Sequence, residues 1–225
     1  KLLVSMDNDN FDKNYRPYSI KYKIDNSDFK VYSEPFEINK SCTITAYSAV
    51  DLEAGLGGSD KISAQFIKKP NNYTIKTKSK YNPQYHAGGE EGLIDGIFGS
   101  ENWRKGDWQG FQSQDFEAVI DLHETKKVTS VSARFLQDSR AWILMPTKVE
   151  FYTSDDNVNF KLVKTIDNKL DARNTEVQVI DFETQIPVTN AKYIKVKAYN
   201  FGKLPDWHQG AGGDAFIFID EISVN

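Results

Sequence analysis

The sequence predicts an all-β protein made of β-sandwiches, and two observations support this. Apolar residues recur with a period of two in many short segments, whereas helical periodicity is nearly absent. Clusters of turn-forming residues, such as Asp25–Asp28 and Ser154–Asn157, separate these segments. Many short strands joined by such turns are typical of sandwiches rather than of α/β folds.

Each predicted strand rests on its own pattern of apolar residues. In chain order, the alternating segments are 20–24, 42–46, 116–122, 131–135, 149–151 and 194–198. Phe216–Ile219 is apolar at every position, which predicts a strand that is buried on both faces. Cys42 is the only cysteine, so no internal disulfide can form, and its strand-like setting predicts a buried small side chain.

A charged segment that contains proline and asparagine, Lys68–Asn72, predicts the domain boundary. It follows the strand-like run 62–67 and precedes another run that begins at Tyr73. We therefore expect two domains, residues 1–70 and 71–225, each able to bury a core. The chain begins with Lys1 rather than Met, and we expect it to be a fragment of a longer protein.

Composition argues against two classes of partner. The net charge is −4, without a basic field in either half of the chain, so we expect no binding of nucleic acid or of anionic membranes. No apolar run approaches the ~20 residues that a membrane-spanning helix needs. We therefore expect no membrane insertion.

Oxygen donors in two distant loop-like stretches suggest a cation site. Asp95-Gly96 and Ser100 lie in the first stretch, and Glu221 ends the second. Carboxylates, hydroxyls and exposed carbonyls are the ligands that Ca²⁺ prefers, six to eight at a time. The alternative is an ordinary Asp-Gly turn with Glu221 solvated at the end of its sheet. These residues alone leave both interpretations open.

Tryptophans beside polar residues suggest a carbohydrate site. An indole face can stack on a pyranose ring, whose hydroxyls need planar donors and acceptors. Arg140 with Trp142 offers such a pairing, and so does Trp207 between Asp206 and His208. Among the histidines, His208 is the one that we expect to bond a sugar hydroxyl.

The alternative is that the indoles fill the ends of the sandwich. We favour that alternative for Trp103, leave it open for Trp108 in its glycine-flanked segment, and favour a surface site for Trp142 and Trp207. We expect no catalysis: Asp206 and Asp214 could meet around the glycine loop, but no cleft supports a glycosidase pair. The histidines also lack metal-ligand spacing, and no nucleophile elbow is present.

The N-terminal part resembles a known family in three segments: Tyr22–Ser27, Tyr32–Ile38 and Thr43–Ala46. These segments resemble the small immunoglobulin-like or fibronectin III-like domain that follows the catalytic barrel in bacterial β-hexosaminidases and chitobiases. The resemblance implies a small β-sandwich for residues 1–70 with a packing or spacer role. It implies no catalytic residue there.

The C-terminal part resembles the discoidin domain, also called the coagulation factor 5/8 type C domain, whose jelly roll is shared with family 32 carbohydrate-binding modules. The segments that carry the resemblance are Leu93–Gly96, Ser100 with Trp103, Phe116–Leu122, Val149–Phe160, Tyr193–Val196 and Asp220–Ile222. The resemblance implies a discoidin-type jelly roll over 71–225. It also implies a structural calcium ion bound by the side chains of Asp95 and Glu221, and completed by Ser100 and by carbonyls near Gly92 and Ile97.

The order of the two domains, with the variant motif Asn102–Gly110, resembles the C-terminal end of a secreted bacterial family 20 β-N-acetylhexosaminidase. This implies a non-catalytic accessory region that binds terminal galactose or N-acetylhexosamine on glycans, after a preceding catalytic domain. The implied location is the periplasm or the cell surface. The alternatives are a structural appendage that packs on the catalytic domain or mediates oligomerisation, and protein or cell-surface adhesion.

Overall fold

The computed structural model describes residues 2–7, 18–50 and 57–225, and its regular structure is almost entirely β-strand. This confirms the all-β prediction. The chain divides into two compact units, Lys1–Lys68 and Lys69–Asn225, and the division falls within the charged segment used to place the boundary. Within the described ranges, no helix has the length and apolar character needed to cross a membrane.

The N-terminal unit contains two small antiparallel sheets. Its strands are β1 (Leu2–Val4), β2 (Tyr18–Ile24), β3 (Lys30–Val31), β4 (Phe36–Ile38), β5 (Cys42–Val50), β6 (Gly57–Gly58) and β7 (Ile62–Phe66). β1 pairs with β4, while β2 and β5 form the centre of the other sheet. Val4, Tyr22, Cys42 and Ile44 form the core, so the predicted burial of Cys42 is confirmed. The immunoglobulin-like assignment stays a prediction.

The C-terminal unit is a sandwich in which two long strands contribute to both layers. Its strands are β8 (Thr74–Thr77), β9 (Gln109–Gln112), β10 (Phe116–Gln137), β11 (Lys148–Ser154), β12 (Lys161–Asp167), β13 (Gln178–Ala198) and β14 (Phe216–Val224). The first half of β10 pairs with β8 and with the second half of β13, which also pairs with β11. The second half of β10 pairs with β14 and with the first half of β13.

Register shifts between Asp121 and Lys126 and between Val128 and Ser130 separate the halves of β10. Such irregularities bend a strand, which lets β10 and β13 pass from one layer to the other. His123 lies at the first shift with a positive φ of 67°. The core lies between the layers and is formed by the predicted inward positions, including residues 116, 118, 120, 131, 133, 135, 149, 151, 194, 196 and 198.

β14 is buried on both faces, as its sequence predicts. Ile217 and Ile219 pack in the main core, whereas Phe218 packs in a second cluster with Trp108 and Leu136. Short 3-10 helices connect the strands at the loop ends: Glu90–Leu93, Trp103–Lys105 and Ser139–Ala141. The second cluster lies beside two of these turns and so supports the loops that carry the candidate site.

Candidate functional site

A cavity of about 450 Å³ opens between three loops of the C-terminal unit. The loops are the turn that follows β10, the connection between β12 and β13, and the connection between β13 and β14. The lining residues are Ser139, Arg140, Arg173, Thr175, Trp207, His208 and Gln209. The volume is within the range of small-molecule sites.

Hydrogen bonds from neighbouring side chains join two of these loops. The Nδ1 atom of His208 accepts a hydrogen bond from the Gly210 backbone N–H at 2.9 Å, so the ring hydrogen lies on Nε2. The Nε2 atom donates to the Ser139 carbonyl oxygen, with 2.5 Å between the nitrogen and the oxygen. Gln209 Nε2 donates to the Arg140 carbonyl oxygen at 3.0 Å. These bonds fix the distance between the β10 turn and the β13–β14 loop.

His208 therefore has a different role from the one that we predicted. Its side chain is buried and both ring nitrogens bond to backbone groups, which leaves neither for a sugar hydroxyl. The prediction that His208 bonds a sugar hydroxyl is therefore wrong. His208 lines the cavity, but its ring is held by backbone groups and positions the loops.

Trp207 and Arg140, both predicted site residues, lie together in the cavity. The Trp207 side chain is 41% exposed, and its ring centroid lies 5.3 Å from the Arg173 guanidinium carbon. Asp206 is exposed but is not among the lining residues. The site thus combines an accessible indole with two guanidinium groups.

Trp142 lies outside the cavity lining, although we predicted it there. It has a positive φ of 66°, and its ring packs against Gly210 and Gly213. A Cβ atom on Gly210 would lie 2.5 Å from a ring atom of Trp142, so the loop needs glycine at that position. The packing makes Trp142 a support for the loop that carries Trp207.

Trp108 is a core residue, and its prediction as a sugar contact is wrong. Only 1% of its surface is exposed, and its indole N–H donates to the Ser100 carbonyl oxygen at 2.9 Å. A Cβ atom on Gly99 would lie 2.5 Å from Trp108 Nε1, so that glycine allows the loop to cover the ring. Trp103 packs on Phe218 in the same cluster, which confirms its expected structural role.

Sequence analysis missed four residues of the cavity lining: Ser139, Arg173, Thr175 and Gln209. Arg173 lies in a loop shaped by Asx turns: its N–H donates to Asp171 Oδ1, and the Glu176 N–H donates to Asn174 Oδ1. This Asp/Asn-rich pattern could have marked an exposed arginine. Its nearness to Trp207 could not have been found, because it depends on how two separate loops meet.

The two predicted side-chain ligands of the cation, Asp95 and Glu221, lie near each other where the 95–100 loop meets β14. The Gly96 N–H donates to Glu221 Oε2 at 3.1 Å, and the Ile97 N–H donates to Asp95 Oδ1 at 2.8 Å. Burial raises the pKa of Glu221 to about 8; the charges of Asp95 and Asp220 add to this effect, against the hydrogen bond from Gly96. Burial also raises the pKa of Asp95. Two carboxylates that resist ionisation together are the arrangement that a bound cation relieves.

Asp95 and Glu221 supply two carboxylates, which are ligands of the kind that a hard cation prefers. In the described ranges, no three or more His, Cys, Asp or Glu side chains are grouped so that they could hold a metal ion, so backbone oxygens would have to complete the coordination shell. Gly92 is buried and Ile97 is exposed at the two ends of the loop. The Ser100 side chain is exposed, and its carbonyl oxygen already accepts from Trp108.

Asp220 ties the same loop to β14 independently of any cation. Its buried carboxylate accepts from the Gly99 N–H at 2.7 Å and from Arg134 Nη1, which also donates to the Gly99 carbonyl oxygen at 2.9 Å. Burial raises the pKa of Asp220 to about 6, although Arg134 opposes the shift. Two neighbouring acidic residues therefore hold the 95–100 loop.

Comparison with known families agrees with this architecture. The model of the F5/8 type C domain matches residues 74–213, more than half of the chain, and the chain belongs to this family. The match confirms the predicted resemblance of the C-terminal unit to discoidin domains. No curated protein sequence matches the chain.

Several solved structures are similar to the C-terminal unit. CpGH89CBM32-5 from Clostridium perfringens, solved in complex with GalNAc-β-1,3-galactose, is 19% identical and has a TM-score of 0.43; the match covers 68% of this chain and 94% of that one. A fucose binding module from Streptococcus pneumoniae is 18% identical over 70% of this chain and 94% of its own, with a TM-score of 0.44. The C-terminal domain of a chitobiase from Bacteroides fragilis is 19% identical over 71% and 95%, with a TM-score of 0.41.

Proposed function

We propose that the C-terminal unit binds carbohydrate, without catalysis, in the cavity that contains Trp207. The observation that carries this proposal is an exposed indole beside the guanidinium groups of Arg140 and Arg173. The indole offers an apolar surface for the C–H face of a pyranose, and the guanidinium groups and the Thr175 hydroxyl can bond its polar substituents. Membership of the F5/8 type C family is consistent with a binding role.

The proposed ligand is a terminal galactose or N-acetylhexosamine unit of a glycan. An open cavity with one exposed indole is suited to the terminal sugar of a glycan chain. A site of this kind binds weakly on its own, and the gain comes from holding a linked enzyme near its substrate. A glycosidase pair of carboxylates is not part of this proposal, since the lining residues include neither Asp nor Glu.

We further propose that the chain is the accessory region of a secreted bacterial family 20 β-N-acetylhexosaminidase. The motifs of the N-terminal unit, which resemble the immunoglobulin-like domain of such enzymes, support this context. The N-terminal unit would act as a spacer after a catalytic domain, in the periplasm or at the cell surface. The glycan and that catalytic domain are the proposed partners.

The same proposal includes a structural Ca²⁺ ion at the end of β14. Asp95 and Glu221 would be its side-chain ligands, and Ser100 and the backbone oxygens near Gly92 and Ile97 would complete the shell. The ion would supply positive charge between two carboxylates and hold the loop to β14. Burial raises the pKa of both carboxyl groups, and the charge of Asp95 adds to the shift of Glu221; a bound cation would offset both effects.

A glycan array followed by calorimetry tests the binding proposal. We expect binding to glycans that end in galactose or N-acetylhexosamine, and we expect Trp207→Ala to abolish it. Phe98→Ala is the control, because Phe98 is also an exposed aromatic residue but lies outside the cavity lining. Absence of sugar binding, with tight association to a catalytic domain, would instead support a structural appendage.

A further inference from the structure

The cavity beside Trp207 is positively charged. Two of its lining residues, Arg140 and Arg173, carry guanidinium groups, and the other lining residues are uncharged or a hydrogen-bonded histidine. The Arg140 side chain is 66% exposed, and Arg173 is also exposed. Both cations are therefore accessible to a ligand that enters the cavity.

In the ranges that the structure describes, Arg140 forms one long ion pair, with the buried carboxylate of Asp138, and Arg173 forms none. Arg140 Nε lies 3.8 Å from Asp138 Oδ1, which is too far for a hydrogen bond, and that oxygen is buried without a hydrogen-bond partner. The other Asp138 oxygen accepts from Trp103 Nε1 at 3.1 Å. Arg173 forms no ion pair with a described carboxylate; its guanidinium group lies over the Trp207 ring instead.

None of the acidic residues next to these segments lines the cavity. Asp138 is buried outside the lining, and Asp171 Oδ1 accepts the backbone N–H of Arg173. Glu176 and Asp206 are exposed outside the lining. The cavity wall that a ligand meets thus presents two cations and no anion.

We infer that the sugar bound here carries an anionic group, so that the cavity selects acidic saccharides over neutral ones. This inference rests on the proposed carbohydrate-binding function. The anionic group would be the carboxylate of a uronic acid or a sulfate ester on the galactose or N-acetylhexosamine unit. Both present oxygens that a guanidinium fork bonds in pairs, and such charge-assisted bonds are roughly twice as strong as neutral ones.

The arrangement assigns separate roles to the two kinds of side chain. The exposed part of Trp207 contacts the apolar face of the sugar ring, while Arg140 and Arg173 bond the anionic substituent. The hydrogen bond from Gln209 to the Arg140 carbonyl oxygen holds the backbone that carries one cation. Arg173 is held by its own Asx turn and by the Trp207 ring.

Calorimetric titration of the full chain with matched sugars tests this inference. The probes are methyl galactoside, galacturonic acid and galactose 6-sulfate, with sodium acetate and sodium sulfate as sugar-free anions. We expect at least one acidic sugar to bind about tenfold more tightly than the neutral one, because charge-assisted bonds are stronger. The preference should weaken as the salt concentration rises. Whichever of the two acidic sugars binds more tightly identifies the anionic group.

Arg173→Gln should weaken the binding of the acidic sugars more than that of methyl galactoside and so reduce the preference, since only the acidic sugars offer the guanidinium group a paired anionic partner. Arg104→Gln is the matched control, because Arg104 also stacks on an indole, 4.0 Å from the Trp103 ring, but lies outside the cavity. Equal or tighter binding of the neutral sugar overturns the acidic preference while sugar binding stands. Binding of the free anions as tight as that of the acidic sugars also overturns it. Absence of binding to every sugar, neutral and acidic, refutes the proposed function itself.

Discussion

The two ring nitrogens of His208 bond to backbone groups of separate segments, Gly210 and Ser139. His208→Ala would leave both backbone groups without these partners. We expect the free energy of unfolding to fall by about 1–3 kcal/mol, the usual cost of unsatisfied buried groups. Sugar affinity should also fall, because the loops that carry Trp207 and Arg140 would no longer be held together.

Urea denaturation and calorimetry on the same variant check this prediction. Gln209→Ala is the control for stability, since the Gln209 side chain is exposed and makes one hydrogen bond, to the Arg140 carbonyl oxygen. A His208→Ala protein with unchanged stability but no sugar binding would show direct contact between His208 and the ligand, contrary to the positioning role.

Glu150 offers a second test at the level of a single residue, through the pH dependence of stability. Burial opposes its ionisation, but hydrogen bonds from Lys148, Tyr152 and Tyr199 outweigh that effect and lower its pKa to about 2. A carboxyl group whose pKa is lower in the folded state stabilises the fold above its unfolded pKa, and the contribution is lost as the pH falls towards the folded value.

We therefore expect the stability of the wild-type protein to fall as the pH drops from about 4.5 to 2, and Glu150→Gln to reduce this dependence. Urea denaturation at several pH values measures the slopes. Asp155→Asn, at an exposed carboxylate in the β11–β12 turn, is the control and should keep the wild-type slope. Parallel slopes for wild type and Glu150→Gln would contradict the lowered pKa.

The two Asp-Trp pairs show that the local sequence does not determine whether a tryptophan is buried. Trp108 follows Asp107, and Trp207 follows Asp206, so both indoles have polar, turn-like neighbours in sequence. One is buried and the other is 41% exposed. The difference comes from Gly99, nine residues before Trp108, which lets the preceding loop lie against that ring; the residues next to either indole do not indicate this contact.

Among the elements, the 95–100 loop and β14 form a unit whose stability should depend on a cation. The pKa of Glu221 is higher in the folded state than in the unfolded chain, so the unfolded chain loses the Glu221 proton at a lower pH. Without Ca²⁺, the free energy of unfolding should therefore fall as the pH rises from about 4.5 to about 8. Bound Ca²⁺ should reverse this trend, because it binds the ionised carboxylates of the folded state.

Thermal melting at pH 7.5, with Ca²⁺ or with a chelator, checks this expectation. The chelator should lower the Tm of the wild-type protein, and Asp95→Ala should abolish the difference. Asp155→Ala, at an exposed carboxylate in another turn, should retain it. Equal melting of the wild-type protein with and without Ca²⁺, after prolonged chelation, would refute the calcium site.

Strands were more predictable than their connections. Alternation identified the inward residues of 116–122 and of 131–135 correctly, because each half of β10 packs one face against the core. The continuity of the two halves was not predictable. It depends on register shifts against β13 near His123, where polar residues resemble a loop in sequence. Part of the cavity lining was predictable, because Trp207 and Arg140 have neighbours in sequence that suggest a site. Arg173 has no such neighbours and lies beside them only because of the tertiary structure.

For the whole molecule, the structure combines a small β unit with an F5/8 type C domain that carries a cavity at one set of loops. The sandwich core is closed beneath these loops by Trp103, Trp108 and Phe218. A rigid base of this kind lets the loops hold Trp207 in place without a deep cleft. Such a site is consistent with the proposed binding of carbohydrate.

The most direct test of the account is a two-dimensional ¹H–¹⁵N NMR titration of the chain with an oligosaccharide that ends in galactose or N-acetylhexosamine. We predict saturable shift changes confined to the backbone amides of residues 139–140, 173–175 and 207–209 and to the indole N–H of Trp207. Shift changes centred elsewhere on the molecule, or no change at saturating sugar, would contradict carbohydrate binding in this cavity.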